Sequence, residues 1–201
     1  GKTSGSGGGV FINLGAPTLR QNVIRNNEAS QFGGGIYVGN LLGVAETPRL
    51  ERNEIFGNQA LRGGGLASQD VNTVFWNNLV YQNTATEAGG GVYVDSGRPL
   101  IWHDTIFGNT AVITGGGVCL NGGTPVVSNT IIASNTAAIA GGVYSQTAGA
   151  SLDYNDVWSN ANDPSPRSSA GPHGLLIDPS FVSVVQPDLH LQVTSPLTNT
   201  A

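Results

Sequence analysis

The residues with the strongest claim to chemistry in this 201-residue chain are its 13 acidic side chains. On a polysaccharide, paired carboxylates serve as acid and base, or hold calcium. Asp70 and Asp95 lie 25 residues apart, a step that would stack them on neighbouring turns of a repeat. Such a pair would take calcium or a sugar hydroxyl, although a solvated turn is the favoured reading. Glu51 and Asp153 share one repeat position but stand four repeats apart. Asp153 and Asp156 are close only in sequence. His103, His173 and His190 show no metal-ligand spacing, and His103 belongs to a polar turn column with Gln21, Arg52, Asn77 and Asn129. Cys119, the one cysteine, lies between Val118 and Leu120 and reads as a small packed side chain. No catalytic, metal or cofactor set is assigned.

The aromatic residues offer a second kind of chemistry. Trp76 and Trp102 fall at one repeat position, seven residues before a recurring asparagine. Phe56, Tyr81 and Phe107 fall at another, two residues before it. Both positions neighbour aliphatic ones, so strand alternation turns them outward. Flat outward rings receive a sugar ring or a partner protein, or simply stabilise a stack. Thr84, Thr110 and Thr136 form a third file, too isolated to support ice binding.

These columns require a regular scaffold, and the sequence repeats accordingly. Gly7-Gly8-Gly9-Val10 recurs as triplets before Ile36, Leu66, Val92 and Val118, and as a pair before Val143. The aliphatic positions step by 26, 30, 26, 26 and 25 residues. Asn27, Asn58, Asn83, Asn109, Asn135 and Asn160 keep the same phase. An aliphatic residue stands three positions before each of them. Alanine follows two positions after all but the last, where Asn162 stands. A third apolar column comprises Leu19, Leu50, Phe75, Ile101, Val127 and Leu152. Pro17, Pro48, Pro99 and Pro125 open several of these segments, where a missing N–H costs least.

Each period thus holds three short strand-like runs separated by turns, and none has the length of a helix. One such coil cannot bury its own apolar face, whereas stacked coils can. The pattern predicts an all-β, right-handed parallel β-helix of about six coils of about 26 residues. The asparagines suit turns, and their amides would bond one another along the stack as a structural ladder. The coils occupy residues 1–160. An irregular Pro- and Ser-rich loop spans 161–174, and an incomplete last coil or cap spans 175–201. The second coil carries about four extra residues near 39–47, where Leu41, Leu42 and Val44 make an apolar insertion.

Composition narrows the partners. Glycine contributes 30 residues, in clusters that exclude collagen, and the net charge is −5. A single lysine, Lys2, argues against nucleic acid and against a polybasic membrane anchor. No stretch is apolar enough for membrane insertion.

Ile106-Phe107-Gly108-Asn109-Thr110-Ala111, with the Gly-Gly-Gly-Ile/Val motif, resembles the repeats of polymorphic outer-membrane proteins and related bacterial surface β-helices. Here a third glycine replaces the alanine of their glycine motif, and an aliphatic replaces phenylalanine three residues before Asn. Asp178-Pro179-Ser180-Phe181-Val182, Asp188-Leu189-His190-Leu191 and Ser195-Pro196 are similar to the closing segment of secreted bacterial β-helix proteins with the pectate-lyase-like fold. The Asp-x-Gly expected after Ser-Pro is replaced by Leu197-Thr198-Asn199. The resemblance implies an extracellular or cell-surface setting and says little about activity.

The expectation is a non-catalytic structural or adhesive module whose partner is a glycan or a surface protein. The alternative is a polysaccharide-binding or polysaccharide-degrading domain of the same fold. Neither end carries an evident cap, so the coils are expected to continue in a longer chain or to stack as a homo-oligomer.

Overall fold

The computed structural model describes residues 1–39, 47–164 and 169–199. Its strands are only two to five residues long, because most runs of β-branched or aromatic residues end at a corner with positive φ. One corner column holds Gln21, Arg52, Asn77, His103, Asn129 and Tyr154, with φ between 51° and 58°. A second holds Asn26, Gly57, Gln82, Gly108, Ser134 and Ser159. The first glycine of each triplet makes a third. A non-glycine residue in this region costs roughly 1–2 kcal/mol, so the corners depend on the stack for their stability.

The corners divide each coil into strands that stack in parallel on their counterparts. The glycine-led sheet contains Val10–Asn13, Ile36–Gly39, Leu66–Gln69, Val92–Val94, Val118–Leu120 and Val143–Ser145. The tryptophan sheet contains Thr18–Arg20, Arg49–Glu51, Val74–Trp76, Leu100–Trp102, Val126–Ser128 and Ser151–Asp153. The phenylalanine sheet contains Val23–Arg25, Glu54–Phe56, Leu79–Tyr81, Thr105–Phe107, Ile131–Ala133 and Asp156–Trp158. The architecture is therefore the expected parallel β-solenoid of six coils. A fourth, alanine sheet joins these three, formed by Lys2–Thr3, Glu28–Ala29, Gln59–Arg62, Thr84–Ala88 and Thr110–Ala111. Several of its strands are only two residues long, too short to leave an alternation pattern in the sequence.

One continuous core runs down the axis. Val38, Leu50, Ile55, Val94, Ile101, Ile106, Leu120, Val127 and Ile132 show no exposure at all. Adjacent coils set an aliphatic at most inward positions, with Phe75 between Leu50 and Ile101 and Ser68 between Val38 and Val94, so each side chain packs on its counterparts above and below.

The asparagine ladder is complete. The Nδ2 of Asn27, Asn58, Asn83, Asn109 and Asn135 each donates to the Oδ1 of the next asparagine at 2.9–3.0 Å. The backbone N–H of each donor residue bonds the same oxygen. The Nδ2 of Asn58, Asn83, Asn109, Asn135 and Asn160 also donates to the carbonyl of Ile24, Ile55, Val80, Ile106 or Ile132. This closeness accounts for the third glycine of the triplet. A Cβ on Gly65 would lie 2.7 Å from Gly91 O and 2.9 Å from Asn83 Nδ2.

The tail departs from the stack. Leu175 still bridges Asp156 in parallel, and Ala170 closes over the core with no exposure. Phe181–Ser183 and Asp188–Leu191 then pair antiparallel as a hairpin. At the other end, the strands Val10–Asn13, Thr18–Arg20 and Val23–Arg25 each have one neighbour. The insertion residues Leu41, Leu42 and Val44 lie outside the described residues. Among the described residues, no helix is long and apolar enough to cross a membrane.

Candidate functional site

Register places Arg20, Glu51, Trp76, Trp102, Ser128 and Asp153 in one outward column of the tryptophan sheet. Trp76 and Trp102 are neighbours on adjacent coils, as their spacing predicts. They form the floor of a depression of about 410 Å³, shared with Arg49, Val74, Leu100 and His103. Each ring is held by a corner residue. The Arg52 guanidinium lies 5.4 Å from the Trp76 ring, and the His103 ring stacks on Trp102 at 4.9 Å with an interplanar angle of 24°. Both supports come from the positive-φ corner, so the αL turn that ends the strand also orients the platform. Trp102 retains 40% of its surface, whereas Trp76 is half-buried. Glu51 is buried beside this floor and accepts from Arg49 Nε at 2.7 Å.

The second aromatic column has a different fate. Phe56 and Tyr81 stack at 4.8 Å with their planes 6° apart. Tyr81 is 6% exposed and donates its hydroxyl proton to Glu54, and burial and that bond together push its pKa above the ordinary value. Phe107 is 8% exposed because the C-terminal hairpin lies over it, with Phe181 edge-on at 5.5 Å. Leu189 and Ala133 complete that cluster. The column does turn away from the solenoid core, but Tyr81 and Phe107 are not the open platform that alternation alone suggests. A segment more than 70 residues away in sequence covers Phe107, and no local pattern encodes that contact.

The acidic candidates separate. Asp70 and Asp95 do not stack, because the coil step at this strand is 26 residues, with Ser68 opposite Val94. Asp95 instead lies beside Gln69 and Asn121, accepting from their amides at 3.0 and 3.1 Å and from the Tyr93 hydroxyl at 3.2 Å. Asp70 accepts from the Ser96 hydroxyl. Glu51 and Asp153 share their column but stand four coils apart, roughly 19 Å at the strand spacing. Glycoside hydrolysis needs its carboxylates within about 5–9.5 Å. Asp153 accepts from the His173 ring at 2.9 Å, which holds its pKa below the ordinary value. Asp156 is buried and its pKa is pushed up to about 6, first by desolvation and then by the charge of Asp178. His190 pairs with Asp188. Cys119 is buried, which raises its thiol pKa to about 11 and leaves it protonated at neutral pH. Among the described residues, no three His, Cys, Asp or Glu side chains gather as a metal site.

Two further columns carry a signal at the repeat spacing that the asparagine phase overshadows. Asn22, Asn53, Asn78, Asp104, Thr130 and Asn155 follow the first corner and form a second ladder, partly broken at Asp104 and Thr130. Phe11, Tyr37, Ala67, Tyr93, Cys119 and Tyr144 form the outward column of the glycine-led sheet.

Comparison with protein-family models, curated proteins and solved structures finds no match. The parallel solenoid therefore stands on the structure itself, and the narrower likeness to outer-membrane-protein repeats rests on the repeat motif alone.

Proposed function

We propose that this chain is a non-catalytic adhesive β-solenoid that works at the cell surface or outside the cell and holds a glycan on its tryptophan face. The observation that carries the proposal is the pair Trp76 and Trp102, in register on adjacent coils in the depression of about 410 Å³. Tryptophan faces present large apolar area with little entropy to lose, and the adjacent Arg49, Arg52 and His103 offer donors to hydroxyl groups. A rigid solenoid fixes such a platform without help from loops. The surface-protein repeats that the chain resembles support the extracellular setting. End-to-end association belongs to the same proposal, because among the described residues the strands Val10–Asn13, Thr18–Arg20 and Val23–Arg25 of the first coil pair on one side only.

The test is a screen of the purified chain against neutral and acidic polysaccharides, with calcium and with chelator, following retention and chain cleavage together. Retention without cleavage, lost in Trp76→Ala and Trp102→Ala while their unfolding curves stay near the parent's, is the expected result. Cleavage of any polymer would replace the adhesive reading with a catalytic one. Retention that survives both substitutions would move the contact to another face.

A further inference from the structure

The outward column of the glycine-led sheet alternates large and small residues: Tyr37, Ala67, Tyr93, Cys119, Tyr144. Each small residue leaves a gap between two tyrosines that stand two strand spacings apart, roughly 9.6 Å. That gap admits one planar ring. The protein fills the first gap itself. Phe32, five residues before Tyr37, lies with its ring 6.4 Å from Tyr37 and 5.9 Å from Tyr93, and packs with Ala67. The Arg62 guanidinium lies 5.8 Å from both the Phe32 and the Tyr93 rings.

The second gap has no such ring. Five residues before Tyr93 stands Ala88, which occupies the place of Phe32 in the neighbouring bridge column. Over Cys119 a cavity of about 250 Å³ remains, lined by Tyr93, Tyr144, Ala88 and Thr114. This lies just below the range of drug-sized sites, which suits one ring rather than an oligomer. Polar groups stand at its edge: the Arg62–Glu87 pair at 2.6 Å, and the Gln146 amide, which donates to the Tyr144 hydroxyl.

We propose that the slot over Cys119, between Tyr93 and Tyr144, is a binding site for a single aromatic ring bearing a hydroxyl group. The occupant is argued from the molecule itself, since Phe32 shows what the equivalent gap accepts. The site lies on a different sheet from Trp76 and Trp102 and does not depend on the glycan reading.

The probe is p-cresol, titrated into the full chain and followed by backbone amide NMR, with cyclohexanol and methyl glucoside as comparators. A ligand of this size is expected to bind with a dissociation constant on the order of a millimolar. Saturable shifts confined to the amides around Cys119 and Tyr144 are expected with p-cresol. Ala88→Phe supplies the missing ring from within and should weaken binding at least tenfold. Phe32→Ala empties the first gap and should raise the stoichiometry from one to two. Trp102→Ala should leave the titration unchanged. If Ala88→Phe does not fold, Cys119→Phe takes its place, because Phe11 and Tyr37 already stack on adjacent coils of this column at 5.1 Å. The proposal falls if p-cresol shows no saturation, if the folded filling variant binds as the parent does, or if Phe32→Ala keeps one site. Tighter binding of methyl glucoside than of p-cresol would also overturn it, making the slot a sugar site.

Discussion

Asp104 is a carboxylate set into a ladder built for amides. Its Oδ1 accepts from the backbone N–H and the Nδ2 of Asn78, as the asparagine oxygens elsewhere in the ladder do. Its Oδ2 is buried and has no hydrogen-bond partner. In the ladder, Asn78 and Asn155 use Nδ2 to donate to the carbonyls of Leu50 and Val127; the corresponding carbonyl for position 104 is that of Phe75. A carboxylate oxygen there has nothing to donate, and desolvation pushes the Asp104 pKa from 3.8 up to about 7. The folded state thus holds the proton more tightly than the unfolded chain. Below pH 3.8 both states are protonated and no penalty exists. The penalty grows between about pH 3.8 and 7 and is complete above 7. At 1.36 kcal/mol per pKa unit it reaches on the order of 4 kcal/mol.

Asp104→Asn abolishes this titration and keeps at every pH the donor toward the Phe75 carbonyl that only the protonated acid possesses. At pH 8 the variant should melt roughly 8–16 °C above the parent, from about 2–4 °C per kcal/mol for a chain of this size. At pH 3.5 the difference should shrink to near zero, because the protonated acid carries a donor as the amide does. Thermal unfolding by circular dichroism at half-unit pH intervals measures both limits. An increment that is the same at pH 3.5 and pH 8, or absent at both, would refute a buried and titrating Asp104.

Other perturbations follow from the same packing. Asn83→Ala removes four ladder bonds and leaves the buried Asn58 backbone N–H without its acceptor; a loss of roughly 3 kcal/mol or more in urea unfolding is expected. Gly91→Ala places a Cβ 2.7 Å from Gly117 O and 3.0 Å from Asn109 Nδ2, and should cost about 1–3 kcal/mol by the same assay. Asp156→Asn should stabilise the last coil above pH 6, by less than the Asp104 substitution because the Asp156 pKa rises only to about 6. In Asp178→Asn the like charge is gone, and NMR titration should find the Asp156 pKa lower.

The repeat was legible in the sequence because a solenoid writes its geometry into a period. Every coil meets the same environment, so inward positions such as Leu50, Phe75 and Ile101 must all be apolar, and the ladder from Asn27 to Asn160 must keep its amide. Outward direction was equally legible from alternation, and it placed Trp76 and Trp102 correctly on adjacent coils. Exposure was not, because it depends on contacts that no period records. The hairpin that covers Phe107 comes from the tail, and the ring that fills the gap over Ala67 comes from Phe32. Register at the scale of one residue was legible as well, since the 26-residue step from Leu66 to Val92 sets Asp95 beside Gln69 rather than Asp70, and pairing the two acids at 25 residues overlooked it. The sequence by itself determined which residues face the core and which recur in file, since burial acts identically on every coil. Only the tertiary structure decided which outward residues remain open to a partner, because covering segments and neighbouring side chains act at single places along the stack.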